Sequence, residues 1–436
     1  MPDSSGPRWP LALPELRILF LSSVGGALEF YDFVVFVFFA VAIGRLFFPP
    51  DLPDWVRQLQ TFGIFAAGYL ARPLGGIFMA HFGDTRGRKR VFTFSILLMA
   101  NATLVIGLLP TYKLIGTAAP VLLLVMRVVQ GMAIGGQVPG GWVFVAEHAG
   151  PGRVGFALGL LTSGLTGGIL LGSLVAAAIN LVFSQAQILS GWWRLPFLMG
   201  GIFGFLAMML RRWLEETPVF EEIRRRAATS RQMPLRVVLK GHMPASIAGM
   251  VTTWMLTAAI VVLILMTPAL LQKSFGLPAS QTQLANLAGT VALVLGTLAT
   301  GAMTDRFGLR ASAALVLPLL CAGAYALYLT ADRAPALLLP AYVLAGFGAG
   351  GVALTPVALV RSFPPAVRFS GISFSYNIAY ALFGGVTPLF VSWIAHLNRI
   401  SPAHYVAAVC VLGFFATVFS PSAEVQQQVR SSYSNA

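Results

Sequence analysis

HFGDTRGRKR, from His81 to Arg90, and GAMTDRFGLR, from Gly301 to Arg310, are two versions of one phrase. Each packs an acid, a glycine and basic residues into one short polar loop, and each follows a long apolar run. Asp84 and Asp305 stand about half the 436-residue chain apart. Glycine permits a tight turn there. An aspartate can accept hydrogen bonds from a helix N-terminus, while the basic cluster can pair with acids or lipid phosphate. One phrase used twice at this spacing predicts a duplicated chain, with each copy of the loop following the second apolar run of its half.

Working outward from these loops, apolar runs of about 17–25 residues recur. Twelve are expected, near 18–43, 59–80, 91–109, 118–144, 155–183, 195–213, 245–271, 284–303, 311–330, 335–359, 370–395 and 403–420. None alternates as barrel strands do. With 57% hydrophobic and only 10% charged residues, the chain cannot cover a water-facing surface, and it is too apolar for disorder. The expected fold is an all-α membrane protein, twelve transmembrane helices in two pseudo-symmetric six-helix bundles. Lys and Arg set the orientation. With both termini cytoplasmic, most of them fall inside, leaving Arg45, Arg57, Lys113, Arg194, Lys273, Arg333 and Arg399 outside. The division is then a cytoplasmic tail (1–17), an N-terminal bundle (18–213), a cytoplasmic linker (214–243), a C-terminal bundle (244–420) and a cytoplasmic tail (421–436). The net charge of +14 reads as topology signals facing anionic lipid, with no nucleic-acid partner.

Of fifteen acids, Glu29 and Asp32 alone fall deep inside a span. Three residues apart, they share a helix face, at roughly 16 Å and 21 Å from the cytoplasmic end of the first span. A carboxylate at mid-membrane is costly, so burial and mutual repulsion favour the neutral form of at least one. They are the candidate proton-coupling pair. Arg127 in the fourth span reaches a similar depth and is the expected counter-ion of Asp32 or the ligand of an anionic substrate. Arg72, about two-thirds down the second span, fits an inner gate, with Asp84, Arg86, Arg88, Asp305 and Arg306 as further gating residues. Tyr31 and Gln130 join Arg127 as candidate substrate contacts. The C-terminal half supplies neutral groups, Trp254, Tyr376, Asn377 and Tyr380, of which Tyr376 and Tyr380 share a face. GFGAGG at 346–351 satisfies a dinucleotide pattern but lies inside an apolar span, where glycine packing explains it. Cys321 and Cys410 are the only cysteines and the five histidines are scattered, so neither metal nor cofactor is expected, and no hydrolase or nucleotide motif points to an enzyme.

The paired loops resemble those of the major facilitator superfamily. GGALEFYDF (25–33), GYLARPLGG (68–76), MRVVQGMAIGG (126–136), VAEHAGPGR (145–153), WRLPFL (193–198), LEETPVF (214–220) and VRFSGISFSYNIAYALFGGVTP (367–388) further resemble its metabolite:proton symporter branch, carriers of organic acids and osmolytes. The resemblance spans about residues 20 to 420. It implies a multi-pass protein of a bacterial inner membrane that works by alternating access, importing a small organic anion (a mono-, di- or tricarboxylate) with protons and acting as a monomer. A betaine or proline carrier, and an exporter or exchanger, are the alternatives. Three positions depart from the pattern. Ala80 and Thr85 stand in the first loop, Gln137 stands where relatives resemble GGE, and Arg361 precedes Phe363-Pro364 where the branch often has an acid.

Overall fold

The computed structural model describes residues 13–86, 88–150, 152–211 and 234–420. Among them, regular structure is helical throughout. The long helices, in chain order, are α1 (Leu13–Phe38), α2 (Asp54–Arg86), α3 (Arg88–Leu108), α4 (Ala118–His148), α5 (Val154–Val182), α6 (Leu195–Arg211), α7 (Met243–Phe275), α8 (Ala279–Phe307), α9 (Leu309–Arg333), α10 (Pro335–Ser362), α11 (Pro365–Leu397) and α12 (Ser401–Val418). Eleven are long and apolar enough to cross a membrane; the apolar part of α3, Thr93–Leu108, is shorter. Side chains such as Leu70, Leu181 and Leu389 stand on the outside of the bundle, where only hydrocarbon satisfies them.

The duplication inferred from the two loops is present in the packing. α1 packs on α5 and α6, α2 on α4, and α3 on α4 and α6; α7 packs on α11 and α12, α8 on α10, and α9 on α10 and α12. The same small residues let the equivalent helices cross. A Cβ on Gly131 would collide with the carbonyl of Gly68, and a Cβ on Gly346 with the carbonyl of Gly289. Gly68, Gly75 and Asp84 on α2 keep the spacing of Gly289, Gly296 and Asp305 on α8. Backbones this close gain dispersion contacts that lipid tails cannot match. The same crossing accounts for the dinucleotide-like GFGAGG, since Gly346 and Gly350 both lie against α8.

Three details differ from the sequence expectation. The polar phrases are not open loops: α2 runs through Asp84 to Arg86 and α3 starts at Arg88. In the second copy a single glycine, Gly308 at φ 83°, turns α8 into α9. The first apolar run breaks at Phe39, and Ala40–Phe47 forms a separate short helix that packs on α2. The helices α7 and α11 widen into π-helical turns at Ala258–Met266 and Tyr380–Gly384, a device that re-aims side chains within an otherwise regular helix. Most of the expected linker, and nearly all of the two tails, lie outside the described residues, as do the side chains of Asp84, Arg86 and Arg88.

Candidate functional site

The two halves meet along a seam formed by α5 with α8 and α2 with α11, pairs related by the repeat. At the end carrying the 308 turn, Asp305 accepts the backbone N–H groups of Gly155 (2.7 Å) and Phe156 (2.6 Å) at the start of α5. A carboxylate thus caps a helix N-terminus belonging to the other half. Arg306 is exposed, with its guanidinium over the Phe307 ring. Nearby, Arg368 on α11 donates to Glu147 on α4 at 3.2 Å. Further in, Asn377 on α11 donates to the carbonyl of Gly135 on α4 at 2.7 Å. That bond has a specific cause. Pro139 lies inside α4, so the N–H that would meet the Gly135 carbonyl is missing, and the other half supplies the replacement. Asn377, a candidate substrate contact in the sequence, thus joins the two halves at the seam.

Arg72 lies on this seam, only 1% exposed. Its guanidinium carbon is 4.1 Å from the ring centre of Tyr380, 5.1 Å from Tyr376, 5.7 Å from Tyr69 and 6.0 Å from Phe33. Two of these rings belong to the C-terminal half. Tyr69 and Tyr380 stack across the seam with centres 5.9 Å apart, and Trp142 meets Tyr376 edge-on at 4.8 Å. Within this aromatic surround, Nε and Nη2 of Arg72 have no hydrogen-bond partner. The rings hold the cation and Tyr376 brings its hydroxyl within interaction range of Arg72, without completing the Nε–Nη2 edge.

Arg127 is fully buried inside the N-terminal half. Nη1 donates to the Gln130 Oε1 at 2.7 Å and the Phe33 carbonyl at 3.4 Å. Phe33, Phe36 and Phe65 lie 4.7, 4.4 and 5.1 Å from its guanidinium carbon. Gln130 in turn donates to Thr103 Oγ1 at 2.7 Å. The expected ion pair between Arg127 and Asp32 is not formed: both carboxylate oxygens of Asp32 lack hydrogen-bond partners. They lie against α6 at Gly200 and Gly204, whose missing side chains leave the room. Gln130, also expected to touch substrate, bonds Arg127 and Thr103 here.

Glu29 and Asp32 share the expected stretch of α1 but not a common pocket. Three residues turn a helix by about 300°, enough to give each its own neighbours. Gln137 donates to Glu29 at 2.5 Å, and both line a small cavity with Gly26, Ile134 and Leu161 between α1, α4 and α5. Asp32 is sealed on the α3–α6 side. Gln137, which stands where relatives resemble GGE, is thus the hydrogen-bond partner of the acid that does line a cavity.

The remaining candidates scatter. Tyr31 donates to the Pro196 carbonyl at 2.9 Å and packs edge-on against Phe203, so it ties α1 to α6 rather than facing the other half. Trp254 stacks on Phe383 and donates to Tyr405, inside the C-terminal half. Tyr376 and Tyr380 do meet Arg72. Phe33 and Tyr69 were missed; each lies within a quoted motif, GGALEFYDF and GYLARPLGG, where an aromatic reads first as packing.

A duplicated helical bundle with exposed apolar flanks and charge sealed at its centre defines a multi-pass membrane protein. The sequence pattern of the Major Facilitator Superfamily matches residues 34–388, and the chain belongs to that family. It is 32% identical over 432 residues to a putative proline/betaine transporter of Staphylococcus aureus (strain COL), covering 95% of this chain and 90% of that one. It is 32% identical over 401 residues to a citrate-proton symporter of Klebsiella pneumoniae, covering 91% and 89%. A proline/betaine transporter of Escherichia coli (strain K12) is 30% identical over 421 residues, covering 91% and 81%. Among solved structures, a proton:xylose symporter bound to 6-bromo-6-deoxy-D-glucose has the same fold, with a TM-score of 0.80 at 17% identity, covering 94% of this chain and 96% of that one. The family assignment makes the chain a transporter rather than an enzyme, and the Klebsiella relative is by name a proton symporter.

Proposed function

We propose that the protein imports a small carboxylate-bearing organic anion together with protons, as a monomer of twelve spans in a bacterial inner membrane, with both termini cytoplasmic. One observation carries this reading: Asp32 and two arginines lie wholly buried in one half, and each keeps polar atoms without hydrogen-bond partners. Buried polar groups are ordinarily satisfied, so such a set is retained for something that arrives and leaves. Glu29 and Asp32 take a proton when the site faces outward and release it inward. Asp305 and the Glu147–Arg368 pair, which join the halves near the Gly308 turn, close the cytoplasmic side, with Asp84 as the repeat counterpart of Asp305. The two six-helix halves then rock about the seam.

A second reading, a proton-coupled carrier of betaine or proline, is favoured by the names of two of the relatives above. Both readings share a carboxylate. They separate in proteoliposomes given an outward-acidic pH gradient and labelled citrate, succinate, glycine betaine or proline. Gradient-driven accumulation of citrate or succinate that a protonophore collapses supports the anion reading. Accumulation of glycine betaine or proline alone moves the assignment to the osmolyte. No accumulation of any solute with the gradient in place removes proton-driven import.

A further inference from the structure

Arg72 and Arg127 lie wholly buried in the N-terminal half, and both guanidiniums leave the same edge open. In Arg72 and in Arg127 it is Nε and Nη2 that lack partners. Those two nitrogens form the side of a guanidinium that meets the two oxygens of a carboxylate in parallel. The sequence pointed to Arg127 for substrate and Arg72 for a gate. Their surroundings differ, and the difference favours Arg72 as the carboxylate ligand.

Arg127 has a structural task. Its Nη1 ties α4 to the Phe33 carbonyl of α1, and the repeat does the same without a charge. When α4 and α10 are matched on Gly131 and Gly346, Tyr342 stands where Arg127 does, and its hydroxyl donates to the Leu263 carbonyl of α7 at 2.8 Å. The open edge of Arg127 is covered by its own half. A Cβ placed on Gly68 would sit 3.5 Å from Nη2 and 3.7 Å from Nε, and three phenylalanines enclose the rest.

Arg72 differs on each count. Matching α2 and α8 on Gly68 and Gly289 puts Leu293, a wholly buried apolar residue, at its equivalent place, so the helix crossing itself requires no cation. Its surround is shared between halves: Tyr69 and Phe33 stay with it, while Tyr376 and Tyr380 leave when the seam opens. Of these two arginines, Arg72 is the one caged by rings from both halves.

We infer that the Nε–Nη2 edge of Arg72 is the carboxylate-binding site of the transported solute, with Tyr69, Tyr376 and Tyr380 closing over it from the two halves. The inference rests on the carboxylate reading given above. A carboxylate entering the opened seam meets a preformed fork in a water-poor site, where a charge-assisted pair is strong. The neutralised pair is then easier to enclose than the bare cation, so closure of the tyrosines is favoured by the bound solute.

The test compares each carboxylate probe with its own primary amide. Citrate, succinate, glycine betaine and proline, and the corresponding amides, are measured by thermal stabilisation of the purified full chain. Wild type is expected to prefer at least one carboxylate over its amide by on the order of tenfold or more in Kd. Arg72→Lys keeps the charge and loses the fork; Arg72→Gln loses both. Arg72→Gln should bring that ratio to within about twofold and Arg72→Lys, which keeps a point charge, should lower it to an intermediate value, changes that a loosened fold would not produce because it weakens both ligands alike. If Arg72→Gln does not survive purification, Arg72→Lys decides alone. Should the ratio persist in the lysine variant, Arg72 is only a caged structural cation and the inference fails, with the carboxylate reading intact. Should wild type show no preference for any carboxylate over its amide, the carboxylate reading fails and the inference falls with it.

Discussion

The N-terminal and C-terminal halves repeat a backbone but not its chemistry. The glycines that let α2 cross α4 reappear where α8 crosses α10, and the contact of the fourth helix on the first reappears between α10 and α7. Yet one half buries Glu29, Asp32, Arg72 and Arg127, while its partner buries Leu293 and Tyr342 at the places of the two arginines. The comparison separates scaffold from function. What the repeat keeps is needed to bring helices together. What it changes is free to handle charge, and here the change is concentrated in one bundle, with the other supplying rings and a side-chain amide at the seam.

The largest expected effect breaks the charged half alone. Asp32→Asn should abolish accumulation driven by a pH gradient while leaving solute exchange across the membrane, because the amide can neither take nor release a proton. Both processes are read in the same proteoliposomes. Uphill accumulation at the wild-type level in this variant would remove Asp32 from the coupling step. Tyr342→Phe, which takes away one neutral hydrogen bond in the other half, should leave the accumulation ratio unchanged.

Next comes a test that the scaffold is shared. Gly131→Leu and Gly346→Leu each drive a side chain into a facing carbonyl. Overpacking of this kind costs about 1–3 kcal/mol or more, and the repeat predicts losses of similar size in the two halves. Thermal unfolding of the detergent-solubilised variants measures both. A large loss for one and none for the other would mean that the two crossings are alike only in geometry.

A smaller effect lies at the gate. Asp305→Asn keeps the shape of the acid that caps α5 and removes its charge. A charged cap on a helix N-terminus contributes about 1–2 kcal/mol, so the closed seam should lose roughly tenfold in population relative to the open form. A single cysteine at Ala157, buried beside this contact, reports it through its rate of labelling after Cys321 and Cys410 are replaced by serine. An unchanged rate would make the cap local to α5.

Most of the scaffold was legible from residue types in order. Apolar length gave the helices, and the paired phrases around Asp84 and Asp305 gave the duplication. The site was legible only as a set of residue types. The position of Glu29, Tyr31 and Asp32 along α1 says nothing of which neighbour each meets, and the structure sends them to α4, α6, and the α3–α6 side respectively. Arg72 shows the same limit. Depth along a helix places it towards an inner gate but says nothing of the two tyrosines from the far half of the chain that lie over it. One signal was available and unused: Pro139 inside the fourth apolar run must orphan the carbonyl of Gly135, so some donor had to be found for it.

That donor gives the smallest effect and the sharpest link between halves. Asn377→Ala leaves the Gly135 carbonyl without its 2.7 Å partner, a loss of about 1–2 kcal/mol for a buried acceptor. Pro139→Ala restores the backbone N–H that α4 lacks, so in that background the asparagine has little left to satisfy. The two substitutions should therefore be strongly non-additive: Asn377→Ala destabilises the wild-type chain but is nearly neutral beside Pro139→Ala. Unfolding of the four members of this cycle measures the coupling directly. If the costs simply add, Asn377 holds α11 through Ser373 rather than α4 through Gly135, and the amide belongs to its own helix instead of the seam. If they couple, the kinked helix of the charged half depends on the neutral half for one of its own backbone bonds, and each opening of the seam must break it.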